Sequence, residues 1–379
     1  MFFARASAGC LILAALVWAL FLSSAQLRKS NTAQAAPVSE QRFPTYLEPK
    51  GYVCYRARGP VTIDGRLGGA AWRDVPWTDV FVDIEGASKP KPRLRTRVKM
   101  LWDDRYFYIG AELEEPHVWA TLTQHDAVIF QDNDFEVFID PNGDNHEYYE
   151  FEINALNTGW DLLLPRPYKD GGQAVNSWEI PGLKTAVHVD GTINDPRDID
   201  KGWTVELAFP WKVLGELAYK PAPPHDGDQW RVNFSRVEWQ HEVVEGKYRK
   251  VKGTKEDNWV WSPQEVVNMH RPETWGYLQF STAPIGSAKF QSEPAGPVRH
   301  YLHQIYYAQR DYREKNGRFA KSLEELGLAN LECKDIVGMP AIEVTRNSFE
   351  ASAEIQPTGK AVQRWHIRQD ARVWMDAGK

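Results

Sequence analysis

The sequence predicts a mainly β protein: an antiparallel β-sandwich followed by a small α+β domain. Three observations carry this expectation. Between Gly51 and Ala283, short runs of alternating apolar and polar residues are broken by Gly, Pro, Asn and Asp. The chain holds 16 tryptophans, 15 tyrosines and 16 phenylalanines, and aromatic rings favour half-buried pleated surfaces. Beyond the Pro-bearing stretch 281–297, the apolar period changes from that of a strand to that of a helix.

The elements follow in order. Arg5 precedes an uncharged apolar run, and Ser23 and Ala25 suit cleavage before Gln26. Residues 1–25 therefore read as a signal peptide or membrane anchor, which predicts an exported protein, periplasmic, extracellular or held at a membrane. Residues 26–50 are polar and aperiodic, a linker. VKMLW (98–102) and YFYIGAEL (106–113) make one hairpin; DFEVFID (134–140) and HEYYEFEINA (146–155) make a second across PNGDN. Further strands are expected at 159–164, 184–190, 202–209, 229–239 and 275–280, with Pro210 opening a short helix over WKVLGEL. These form a sandwich over 51–283, and 284–297 reads as a second linker. In the unit 298–376, Val298, Tyr301, Leu302, Ile305, Ala308 and Tyr312 share one helical face that Gly317 closes. Ser322 and Glu325 predict a capped second helix. Strands at 341–346, 348–355 and 363–369 complete it.

Composition narrows the function classes. The net charge is -6 with both signs mixed throughout, so nothing resembles a nucleic-acid surface. Cys54 and Cys333 fall in different units and predict no disulfide. No nucleophile elbow, P-loop, HExxH or dinucleotide fingerprint is present, which argues against the commonest enzyme chemistries.

The segment QDNDFEVFIDPNGDNHEYYEFEINALNTGWDLLL (131–164) carries the densest chemistry. Strand alternation puts Asp134, Glu136, Phe138 and Asp140 on one face, and Tyr148, Glu150, Glu152 and Asn154 on one face of the return strand. With Asp140 across from His146, Glu136 falls opposite Glu150 and Asp134 opposite Glu152. Such a patch needs Arg or Lys from a neighbouring strand, a bound calcium, or protonation of a member. Arg236 is a candidate for the first. Directly opposed acids also permit a glycoside hydrolase that uses Glu136 and Glu150, whose carboxyls stand about 5–5.5 Å apart in retaining enzymes. Asp195, Asp198 and Asp200 lie in an oxygen-rich loop suited to calcium, without EF-hand spacing. Asn268, His270 and Arg271 are polar candidates for a cleft rim. His300 and His303 lack a third ligand and read as surface residues.

The order VTIDGRLGGAAW (61–72), VKMLWDDRYFYIGAEL, DNDFEVFIDPNGDNHEYYEFEIN, GWTVELAFPW and WGYLQF resembles the family 9 carbohydrate-binding modules over about residues 52–282. The resemblance implies a calcium-bearing β-sandwich that binds sugars without cutting them, linked to polysaccharide breakdown. It also permits a calcium role for Asp64. Members with established binding clamp a sugar ring between two tryptophans. These positions land near Phe130 and Met269 here, Glu136 matches the strand glutamate, and Glu152 replaces a basic residue. The implied saccharide site is therefore Phe130, Asp134, Glu136, Glu152, Asn154, Arg236, Asn268, Met269 and His270. The run IYYAQRDYREKNGRFAKSLEELGL and the strands after it resemble the globular part of type IV pilins and type II secretion pseudopilins (298–374). This implies an interaction or spacer module, with a protein partner, lacking the family's N-terminal assembly helix.

Overall fold

The computed structural model describes residues 46–333, 336–357, 359 and 361–376. The export segment and nearly all of the first linker lie outside the described residues. Within them no helix is long and apolar enough to cross a membrane.

The strands are β1 (Gly51–Arg56), β2 (Val82–Asp83), β3 (Thr96–Trp102), β4 (Tyr106–Glu114), β5 (Asp134–Asp140), β6 (Tyr148–Asn154), β7 (Gly159–Leu164), β8 (Lys184–Asp190) and β9 (Gly202–Pro210). After helix α1 (Trp211–Leu214) come β10 (Gln229–Glu238), β11 (His241–Val244), β12 (Lys247–Lys250), β13 (Asp257–Val260) and β14 (Gly276–Ser281). Helix α2 (Gly296–Asn316) leads into β15 (Ile336–Val344), β16 (Phe349–Ile355), β17 (Gln363–Arg368) and β18 (Val373–Met375).

One hydrogen-bonded path runs β7-β6-β5-β10-β14-β1-β3-β4-β9-β8, with β13 beside β10 and β2 beside β13. The sheet curls until its two ends pack face to face. Phe151 of β6 meets Phe209 of β9 edge-on at 5.8 Å, and Phe135 stacks on Phe234 at 5.9 Å. Val137, Ile139, Ile109 and Leu207 fill the space between. Trp72, Trp230, Trp261 and Trp275 are each fully buried. A ring that buries 150–250 Å² contributes at most about 4–6 kcal/mol.

The sandwich is not wholly antiparallel. β1 lies parallel to both β14 and β3. A parallel pair needs a long connection, and the stretch 57–95 between β1 and β3 supplies it.

The C-terminal unit has its own core. Val298, Tyr301, Leu302, Ile305 and Ala308 of α2 pack on Phe349, Ala351 and Ile367. Gly317 ends α2 with a left-handed φ of 69°, and its N–H donates to the Arg313 carbonyl. The helix expected at Ser322 is only turns. The Glu325 N–H still reaches Ser322 Oγ at 3.4 Å, but Gly327 turns left-handed before a helical run can propagate. The expected linker 284–297 is docked: Ala288 N–H donates to Tyr55 Oη and Gln291 N–H to Gln279 Oε1. His303, expected at the surface, is 3% exposed and bonded to Asn145 of the β5–β6 loop.

Candidate functional site

The acidic stripe forms, in a register two residues away from the expected one. Glu136 pairs with Glu152, Asp134 with Asn154, and Phe138 with Glu150. The reason lies in the connection. Asn145 and Glu147 take left-handed φ values of 73° and 51°, and Asp140 accepts the N–H groups of Gly143 and Asn145. The loop therefore runs to Glu147 and β6 begins at Tyr148. An even shift keeps every side chain on its face, so the acids still share a surface.

Four strands carry that surface in a row. Trp160 of β7 pairs with Glu152, Glu152 with Glu136, and Glu136 with Ser235 of β10. Directly paired side chains stand about 4.5–5.5 Å apart at Cβ, so indole and both carboxyls are neighbours. Phe130, in the turn before β5, stacks on Trp160 at 6.5 Å and 27°. Its N–H donates to Glu152 Oε2 at 2.8 Å and its carbonyl accepts Trp239 Nε1–H. Phe130, Trp160, Glu136 and Glu152, with Phe138, Glu150, Tyr168, Glu256, Asn258, Met269 and His270, line a cleft of about 150 Å³.

Burial sets the electrostatics. Glu136, Glu150 and Glu152 are 5%, 5% and 2% exposed. Burial pushes the Glu136 carboxyl up to about 7. It drives Asp134, Glu150 and Glu152 well above the usual carboxylate range, and the neighbouring acids add to the rise. Protonation thus relieves the repulsion, and the cleft presents carboxyls that donate as well as accept. Glu136 Oε2 and Glu150 Oε2 are buried without a hydrogen-bond partner. His270 accepts from or donates to Tyr148 Oη at 2.9 Å; burial, then Lys169, lowers its imidazole to about 3, so it is neutral.

Of the expected saccharide residues, Phe130, Glu136, Glu152, Met269 and His270 line this cleft, whereas Asp134, Asn154, Arg236 and Asn268 do not. Asp134 lies fully buried, accepting the Val237 N–H. Asn154 holds a turn, accepting from Leu156 and Thr158. Asn268 accepts the His270 N–H. Arg236 points to the opposite side of β10 from Ser235 and Val237, where it pairs with Glu115 and Glu238 at 2.7 and 2.8 Å. It cannot neutralise the stripe. Alternation within β10, where Phe234 is core, already placed it there. Trp160, Tyr168, Glu256 and Asn258 were not anticipated. Only for Trp160 was there a signal, its place on a third strand next to Glu152.

The alternative catalytic pair, Glu136 and Glu150, is present in the cleft but not directly opposed, since Glu150 sits across from Phe138. Of the acids expected to hold calcium, those of the stripe, Asp134, Glu136 and Glu152, bring three carboxylate oxygens within 4.8 Å of one another. Among the described residues, Asp64, Asp195, Asp198 and Asp200 enter no group of three ligand atoms close enough to share one. Asp64 accepts its own turn's Arg66 N–H, Asp195 is taken by the Arg197 guanidinium, and Asp200 accepts the N–H groups of Val118 and Thr192.

The chain is similar to two polysaccharide-degrading enzymes over 116 residues, 31% of its length. These are exoglucanase XynX of Acetivibrio thermocellus and endo-1,4-beta-xylanase A of Thermoanaerobacterium saccharolyticum, each 27% identical. The match spans only 9% and 8% of those longer proteins. A family 9 carbohydrate-binding module from Caldicellulosiruptor kristjanssonii, solved in complex with cellotriose, aligns over 64% of this chain and all of its own. That alignment has 15% identity and a TM-score of 0.39. The model of the carbohydrate family 9 binding domain-like family matches residues 63–280, more than half of the chain, and the protein belongs to that family.

Proposed function

We propose that this is an exported saccharide-binding protein that holds its ligand non-catalytically in the Phe130–Trp160 cleft. One observation carries the reading. The row Trp160–Glu152–Glu136 sets an aromatic face beside hydrogen-bonding carboxyls on a concave surface, the pairing that suits a sugar's apolar face and hydroxyl rim. The stacked Phe130 supplies the second ring in place of the absent tryptophan clamp. Family membership supports the same conclusion, and the ligand is then a glucan or xylan unit, the polymers in the names of the similar enzymes. The helix and four-stranded sheet of the C-terminal unit serve as an interaction or spacer module toward a protein partner. Calorimetric titration with cello- and xylo-oligosaccharides, alongside chromatography of the incubated sugars, tests the reading. It predicts saturable binding with the sugars unchanged. No affinity across a glycan array would overturn it, as would product release abolished by Glu136→Gln, the signature of a hydrolase.

A further inference from the structure

We propose that His125, Asp126 and Asp161 form a binding site for a divalent transition metal of the zinc class, leaving a fourth position open. The site is separate from the saccharide reading and uses none of the cleft's acids.

His125 lies in the loop before β5, against the start of β7. Its Nδ1 is 3.0 Å from the Gly159 carbonyl oxygen. A carbonyl only accepts, so Nδ1 carries the hydrogen and Nε2 is the ring's coordinating nitrogen. That nitrogen faces three carboxylates: Glu179 Oε2 at 3.2 Å, Asp126 Oδ1 at 3.4 Å and Asp161 Oδ1 at 3.5 Å. Ring orientation by a backbone carbonyl is the arrangement that metal-ligating histidines use.

Asp161 makes the cluster more than a surface accident. It is 2% exposed, and its Oδ2 accepts the Ile180 N–H at 2.7 Å. Its Oδ1, the atom aimed at His125, is buried without a hydrogen-bond partner. Leaving a buried carboxylate oxygen unsatisfied is costly. Among the described residues, His125 is the only basic group that forms ion pairs with Asp126, Asp161 or Glu179. One imidazole N–H cannot point at three acceptors at once, whereas a cation between Nε2 and the two aspartates serves both of them.

The spacing also selects the ion. Zinc bonds of about 2.0–2.1 Å in a tetrahedron separate neighbouring ligand atoms by roughly 3.3 Å. The Nε2 distances to Asp126 and Asp161, 3.4 and 3.5 Å, lie close to that value. The ligand atoms of His125, Asp126 and Asp161 already lie within 4.8 Å of one another. Calcium takes six to eight oxygens and no imidazole, while imidazole with carboxylates suits zinc and its neighbours. His125 and Asp126 are the exposed members, so an ion can enter without unfolding.

The test uses chelator-stripped full-length protein titrated with zinc chloride, and with calcium chloride as the contrast. One zinc per chain is expected, with cobalt giving the visible absorption of a tetrahedral site. Asp161→Asn keeps an acceptor for Ile180, and His125→Ala removes an exposed ring, so both variants should fold. Each should weaken zinc binding at least tenfold while the metal-free melting temperature stays near that of the parent. No zinc uptake, uptake undiminished in both variants, or preference for calcium would overturn the proposal.

Discussion

Glu136→Gln offers the sharpest test of the buried stripe, because an amide imitates the protonated acid and cannot ionise. Burial, with Glu256 adding to it, raises the folded Glu136 carboxyl from 4.5 to about 7. The folded state therefore keeps a proton that the unfolded chain has released. This contribution is fully present below about pH 4.5 and disappears as pH rises through 7. A rise of that size corresponds to about 3 kcal/mol at one pKa unit per 1.36 kcal/mol. The variant should exceed the parent by less than about 1 kcal/mol at pH 5 and by about 3 kcal/mol at pH 8. Urea unfolding at both values measures this through the midpoint. The reasoning is refuted if the stability difference between variant and parent is the same at pH 5 and pH 8.

The parent itself should lose stability from pH 5 to pH 8, since Asp140 rises to about 7 and Glu115 to about 8 as well, both through burial. Below pH 4.5 the sign reverses: burial opposes ionisation of Glu273, yet Lys169 and Arg271 hold it far below the carboxylate range. Its contribution is present above its unfolded value and lost on acidification, so thermal melts across pH should peak near 5. Trp160→Ala removes one half-buried ring of the stacked pair and should weaken oligosaccharide binding about tenfold, from the ~1.4 kcal/mol of one aromatic contact; calorimetry reads it. Arg236→Ala should cost about 3 kcal/mol, because Glu115 loses its cation and Glu238 keeps only the longer Arg93 contact at 3.4 Å; urea unfolding at pH 9, where both acids are ionised, checks it. Asp140→Ala strips acceptors from the Gly143 and Asn145 N–H groups and should cost about 2 kcal/mol, seen as a lower melting temperature.

Local pattern was legible where neighbours in sequence are neighbours in the sheet. The β3–β4, β5–β6 and β8–β9 strands follow from alternation and turn residues, and the apolar stripe of α2 ends where Gly317 said it would. What escaped depends on partners distant along the chain. Nothing in GYVCYR announces that β1 will lie parallel between β14 and β3. The β5–β6 register slipped because Asn145 and Glu147 adopt left-handed backbone without being glycine, which lengthens the loop. The cleft was half visible for the same reason. Glu136 and Glu152 follow from two adjacent strands, whereas Trp160 needs a third, and Tyr168 and Asn258 arrive from loops and from β13. Arg236 was misplaced although its own strand gave the parity, since its charge, rather than its face, drew the assignment.

The most direct test of the central claim is a structure of the protein crystallised with cellotriose or xylotriose. The account predicts a sugar ring lying against Trp160 and Phe130, with hydroxyls bonded to Glu136 and Glu152. Density for the sugar on another surface, with this cleft left to water, would contradict it.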